Sequence, residues 1–213
     1  MNPRDTLLLA TRSLGKLHEL RPLFAHAGLA VIDLGEAGID ERADEEAIES
    51  YETFEENALA KARYFHARSG GLPTVADDSG LEVFALGGRP GVHTKRWSGR
   101  TDLSGRALDG ANNEALLRAL TGAEDRRARY VCVAALVDGD GERAWRGESA
   151  GSILHAPRGS DGFGYDPLFL SDSLGVTFAQ VGREAKEPVS HRGRAFHAMI
   201  AEVRGDGAEA ARG

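Results

Sequence analysis

Cysteine is nearly absent from this chain. Cys132 is the one thiol in 213 residues, which excludes an internal disulfide. It sits in the apolar run from Tyr130 to Val137 and reads as a small buried hydrophobe rather than a nucleophile. Long hydrophobic stretches are absent too. The run from Thr6 to Ala10 is far too short to span a membrane, follows Arg4 and Asp5, and lacks the apolar core of a secretion signal. The expectation is a cytoplasmic protein with no membrane partner. An excess of positive charge is the third absence: 26 Lys and Arg stand against 33 Asp and Glu, a net −7. Duplex-binding proteins are normally basic overall, so no nucleic acid polymer is expected as a partner, although a small polyanion fits a local basic cleft. Internal repeats and low-complexity segments are also missing. The apolar and charged fractions, 41% and 28%, are those of a folded chain of one large domain or two small ones.

What is present centres on the stretch from Val75 to Gly99. An apolar run, Pro73 to Ala76, leads into the adjacent carboxylates Asp77 and Asp78, followed by Ser79 and Gly80. Two ionised carboxylates at a strand end call for a cation or strong donors, and a divalent metal is the commonest cation for oxygen ligands. An Asx turn closing the strand is the competing reading. Leu81, Val83 and Ala85 then alternate with Glu82 and Phe84 as in a second short strand, and Gly87 to Gly91 is a turn cluster. The basic segment with His93, Lys95, Arg96 and Arg100 carries Trp97 and suits either phosphate contact with base stacking or a solvated loop.

Along the rest of the chain, Thr6 to Ala10 reads as a buried strand and Thr11 to Lys16 as the turn after it. A helix then buries Leu17, Leu20, Phe24 and Ala27. A hydroxyl-rich turn with a lysine at a helix start can seat phosphate, though a plain strand-to-helix turn looks the same. Ala30 to Leu34 is a second strand, and Glu36 to Glu52 reads as a solvated acidic loop. Thr53 caps a helix to about Ser69 whose buried face is Phe54, Ala58, Ala62 and Phe65; Asn57 and Lys61 share another face, where solvated charge is the ordinary expectation. After a polar loop, Leu116, Leu117 and Leu120 mark a helix ending near Gly122. Ala128 to Val137 is a strand turning at Asp138–Gly141 into Glu142 to Ser149, with a further strand near Gly151 to His155. Gly159 to Pro167 encloses two aromatics and two carboxylates in glycines that allow close approach to a ligand. Ser190 to Arg194 opens a helix with Phe196, Met199, Ile200 and Val203 as its core face. His191 and Arg192 at its N-terminus are unfavourably placed unless an anion binds there.

Six motifs, in order, resemble the inosine triphosphate pyrophosphatase-like family, the non-standard purine NTP (dITP/XTP) pyrophosphatases. They are Ala-Thr-x-x-x-Gly-Lys16, Thr-Phe-x-Glu-Asn-Ala58, Ala-Asp-Asp-Ser-Gly-Leu81, Gly-Gly-x-Pro-Gly-Val92, Gly-Phe-Gly-Tyr-Asp-Pro167 and Ser-His-Arg-Gly193, and the match runs from Leu8 to about Val203. The resemblance implies an α/β fold: two lobes around a long mixed, twisted β-sheet with helices on its faces and a central active-site cleft. It implies one pyrophosphatase domain over residues 1–204, leaving 205–213 as a flexible tail. It also implies a homodimer and Mg2+-dependent hydrolysis of ITP, dITP, XTP or dXTP to the monophosphate and pyrophosphate.

By position, Asp78 matches the family's general base and metal ligand, and Glu49 is the best match by spacing to a second metal ligand. Asp77 is expected to hold metal waters or tune Asp78, and Lys61 matches a lysine of the catalytic cleft. Thr11, Arg12, Ser13, Leu14, Gly15 and Lys16 match the phosphate-binding turn. Ser79, Phe163, Gly164, Tyr165, Asp166, Lys186, His191 and Arg192 match substrate-binding positions. His191 and Arg192, with backbone from Phe163–Asp166, are expected to read the 6-oxo edge, since rejecting a wrong polar group works best when it leaves a buried partner unpaired. Arg12-Ser13 stands where the family has Gly-Asn, and His93 where it often has an aromatic. A pyrophosphatase for other modified nucleotides, as in Maf-like relatives, and a nucleotide-binding protein without catalysis are the competing readings.

Overall fold

In the computed structural model, residues 6–205 are described, so all of the expected tail except Gly205 lies outside the described residues. Six strands form one mixed sheet in the order β2-β1-β3-β4-β5-β6. β1 (Thr6–Leu9) pairs in parallel with β2 (Ala30–Asp33) and with β3 (Thr74–Val83). β4 (Arg127–Asp138) turns through Gly139 and Asp140 into β5 (Gly141–Ile153), whose far end pairs antiparallel with β6 (Phe169–Ser171). The helices are α1 (Leu14–His26), α2 (Phe54–Arg68), α3 (Gly105–Ala119), the single turn α4 (Arg183–Lys186) and α5 (His191–Val203). This is the expected α/β class.

The chain divides into two compact units. Among the described residues the first comprises 6–78, Cys132–Arg146 and 192–205. Its core joins Leu7 and Leu9 of β1, Val75 of β3 and Cys132, Ala134 and Leu136 of β4 to Leu20, Leu23 and Phe24 of α1 and Phe196, Met199 and Ile200 of α5. Phe24 and Phe196 meet edge to face at 5.8 Å. The second unit, Ser79–Val131 and Gly147–His191, has its own core of Leu81, Val83, Leu116, Leu120, Tyr130, Ile153, Tyr165, Phe169 and Phe178.

Several elements depart from the sequence pattern. The segment Asp77-Asp78-Ser79-Gly80 is neither a turn nor a strand end: it lies inside β3, which also absorbs Leu81 and Val83. Cations and an amide pair with the two carboxylates there, so the backbone stays extended. Helix α1 starts at Leu14, with Ser13 as N-cap and Lys16 already in its first turn. Helix α3 starts eleven residues before Leu116, at Gly105, because its buried face includes Asn112 and Asn113, which an apolar count cannot see. The expected separate strand at Gly151–His155 is the end of β5. The acidic loop is partly ordered: residues Ala43–Ala47 form a 3-10 turn and Ile39 is buried.

Candidate active site

β3 puts Asp77 and Asp78 at adjacent positions of a strand, so their side chains leave opposite faces of the sheet. Asp77, 1% exposed, meets α1 and α5: its Oδ2 is 3.0 Å from Lys16 Nζ and accepts from Arg192 Nε at 3.3 Å. Cys132 Sγ lies 3.7 Å from the same oxygen. Arg192 also donates from Nη1 to Glu19 at 2.6 Å. Burial alone would push Asp77 upward, but Lys16, Arg192 and Lys61 together hold it well below the usual carboxylate range. Its Oδ1 is buried with no hydrogen-bond partner among the described residues.

Asp78 faces α2. Asn57 Nδ2 donates to its Oδ2 at 3.1 Å, and the same amide bridges the backbone of Tyr51 through both of its ends. One turn on, Lys61 Nζ donates to the carbonyl of Asp77 at 2.5 Å and forms a short ion pair with Glu49. The polar stripe of α2 is therefore buried, with Asn57 at 1% and Lys61 at 9% exposure, where helix spacing alone suggests solvated charge. Burial raises Asp78, Lys61 and Lys16 pull it down, and Glu49 pushes it back; the net shift is upward. Glu49 is moved the other way, since burial is outweighed by Lys61 and Lys16. Lys61, disfavoured as a cation by burial, is kept charged by Glu49, Asp77 and Asp78.

At the α1 start, Ser13 Oγ accepts from the Lys16 N–H at 3.4 Å, and Thr11 Oγ1 accepts from the Ser13 N–H at 3.2 Å. Leu14 and Gly15 open the helix, where first-turn N–H groups have no intrahelical acceptor. Arg12, whose purpose the sequence left open, turns away: it donates from Nε and Nη2 to the two Glu45 oxygens and from Nη1 to the Ile39 carbonyl. Arg68 reaches the same Glu45 at 2.7 Å.

In the second unit, Lys186 Nζ is 2.7 Å from Asp166 Oδ2 and lies over the rings of Phe163 and Phe178. The Phe163 N–H also donates to Asp166 Oδ2 at 3.1 Å. Tyr165 is buried and its hydroxyl donates to the Thr94 carbonyl at 2.8 Å. Burial and the charge of Asp109 raise its phenol, keeping it a donor. Gly162, at φ +71°, would bring a Cβ to 2.1 Å from Asp166 Oδ2. Its freedom serves contact with the protein's own carboxylate, not the ligand approach read from the sequence. The His191 ring stacks on Tyr130 at 4.5 Å and 7°. Ser79 is half-buried. In the basic segment, Lys95 and Arg96 are exposed and Arg100 pairs with Asp102.

Sequence reading missed Asn57 as a carboxylate partner, Glu19 as the second acceptor of Arg192, and Asp109 with Asn113 on α3. For Asn57, the four-residue spacing to Lys61 on a helix was the available signal. Among the described residues no group of three or more His, Cys, Asp and Glu is arranged to hold a metal. Magnesium, however, usually keeps several waters and takes only one or two carboxylates. Asp78 and Glu49 supply such a pair of hard oxygens, and the repulsion between them is the kind a dication relieves.

Fold and side chains together define a class: an α/β protein with two lysines, one of them in the first turn of α1, set beside buried carboxylates. A family model described as the Ham1 family matches residues 7–202, and the chain belongs to that family. It is similar to the dITP/XTP pyrophosphatase of Syntrophobacter fumaroxidans, 48% identical over 89% of this chain and 78% of that one. The dITP/XTP pyrophosphatase of Burkholderia pseudomallei is 46% identical over 94% of each chain. The structure of the Staphylococcus aureus Ham1 protein superposes with a TM-score of 0.80 at 35% identity, covering 94% of this chain and 99% of that one.

Proposed function

We propose that the protein hydrolyses non-standard purine nucleoside triphosphates, ITP, dITP, XTP and dXTP, to the monophosphate and pyrophosphate. The observation that carries this reading is the array in the first unit: Asp78, biased toward accepting a proton, beside buried Lys61, Glu49 and Asn57, with Lys16 at a helix start. The names of the relatives at 46–48% identity supply the substrate class.

In this mechanism Lys16 and the first-turn N–H groups of Leu14 and Gly15 hold phosphate oxygens, with Thr11 and Ser13 shaping the turn. Arg12 contributes through its backbone while its side chain fixes Glu45. Asp78 and Glu49 would hold Mg2+, which when bound would supply neutralisation of phosphate charge and acidification of water. Asp78 takes the proton of the attacking water, and Asn57 fixes the carboxylate that does so. Lys61 stabilises charge that grows on the leaving pyrophosphate. Asp77, deeply ion-paired, anchors Lys16 and Arg192 rather than exchanging protons.

For the base, Phe163 offers a ring face, and Gly164, Tyr165, Asp166, Lys186 and His191 surround it as the substrate-binding set. Arg192, paired with Asp77 and Glu19, is assigned to the same set. Ser79 is assigned a substrate contact. One catalytic domain is assigned to residues 1–204, in a cytoplasmic homodimer. Among the described residues no helix is long and apolar enough to cross a membrane.

The test is pyrophosphate release from ITP, XTP, GTP and ATP, each with and without Mg2+. Release from ITP and XTP at least tenfold faster than from ATP, and only with Mg2+, is expected on grounds of hydrogen-bond selectivity. Equal rates on all four would sink the substrate assignment.

A further inference from the structure

The loop from Phe163 to Asp166 is held by a helix that the sequence reading left outside the site. Asp109 and Asn113 stand one turn apart on α3. Asp109 Oδ2 accepts the Gly164 N–H at 3.0 Å, and Asn113 Nδ2 donates to the Gly164 carbonyl at 2.9 Å. The backbone of one glycine is thus gripped at both polar ends by one helix face. The glycine has φ +64°, a left-handed conformation that gives the loop its reversal between Phe163 and Tyr165. The same helix face extends the grip: Asn112 donates to the Lys95 carbonyl at 3.0 Å and accepts the Ser98 N–H at 2.8 Å.

The amide of Asn113 shows what this arrangement costs. Its nitrogen donates to two carbonyls, those of Gly164 and Asp109, which fixes which end is which. Its Oδ1 is left buried with no partner among the described residues, in a side chain only 9% exposed. An orphaned buried acceptor costs stability, so an apolar side chain here would hold α3 at least as well. What an apolar side chain could not do is fix the Gly164 carbonyl. Asp109 is also half-buried, and its charge faces the Tyr165 phenol that closes the next step of the loop.

We infer that Asp109 and Asn113 are positioning residues for recognition of the purine base, acting through the Gly164 backbone on the Phe163 ring and the Tyr165–Asp166 segment. This rests on the assignment of that loop to the base under Proposed function. A loop that must present a ring face and a polar edge together needs its reversal fixed to within a fraction of an ångström. The clamp supplies that without touching the nucleotide.

The test measures KM and kcat for ITP, the Ki of inorganic pyrophosphate, and the thermal midpoint for Asp109→Ala, Asn113→Ala, Asp109→Asn and Phe163→Ala. Pyrophosphate has no base, so its Ki reads the phosphate seat alone. Asp109→Ala and Asn113→Ala are expected to raise KM for ITP about tenfold, with kcat within about twofold and the pyrophosphate Ki unchanged. Asp109→Asn keeps an oxygen acceptor for the Gly164 N–H and is expected to restore most of the KM. If Phe163→Ala raises KM and the two clamp variants do not, the clamp is overturned while the base loop stands. If none of the three raises KM, the base-loop assignment falls and this inference with it. A parallel rise in KM and Ki, or a matching loss of kcat, would mark general damage and overturn the positioning role. Should Asn113→Ala fail to fold, Asp109→Ala at its half-buried position carries the same comparison against Asp109→Asn.

Discussion

At the scale of single residues, the two neighbouring aspartates are separated by chemistry as well as by direction. Asp77 is surrounded by cations and pulled down; Asp78 is pushed up by burial and, to a lesser degree, by Glu49. A carboxyl whose charged form is disfavoured by folding gains stability when it is neutral. Asp78→Asn is therefore expected to lower turnover by roughly 10²–10⁴ while raising the thermal midpoint at neutral pH. Calorimetry beside a pyrophosphate assay checks both, and a lowered midpoint would contradict the upward shift. Asn57→Ala should remove the donor that fixes Asp78, lowering kcat by about tenfold with little change in pyrophosphate affinity. Stopped assays on ITP and inhibition by pyrophosphate separate those quantities.

At the scale of elements, what the sequence could reveal depended on where each element buries its polar groups. α2 was legible from Thr53 to Ser69 because it carries a cap and an apolar stripe, and its boundaries agree with the structure. Its second stripe, Asn57 and Lys61, was legible as one shared face, but only the family resemblance put Lys61 in a cleft, because periodicity does not show what covers a face. β3 was cut in two because paired aspartates and a Ser-Gly usually end strands. Lysines, an arginine and an amide arriving from α1, α2 and α5, distant in sequence, make them tolerable in its middle. α3 was shortened for the same reason. In the loop after β5, the glycines looked like room for a ligand, yet Gly162 is packed against Asp166. Gly162→Ala is expected to cost roughly 1–3 kcal/mol of stability, from a left-handed backbone and a displaced Asp166–Lys186 pair. It should also raise KM for ITP; an unchanged denaturation midpoint would refute the close approach.

At the scale of the whole molecule, acid sensitivity should concentrate in the first unit. Asp77, Glu45 and Glu49 are all held below their ordinary values there, in each case because paired cations outweigh burial. A depressed carboxylate contributes stability that is fully present above its unfolded pKa, about 4. That contribution is lost as pH falls through the folded value. Glu45→Gln, which weakens the link to Arg12 and Arg68, should therefore cost about 1 kcal/mol at pH 7. The deficit should shrink below pH 4, as read from urea melts across that range. Cys132 gives access to the same region by another route. Its thiol is fully buried, pushed well above the ordinary range by burial and Asp77, and unique in the sequence. A thiol-selective reagent can reach it only when the strands around Asp77 part. The labelling rate in excess reagent is then a clock for local opening around Asp77, read without substrate, and a bound polyphosphate should slow it.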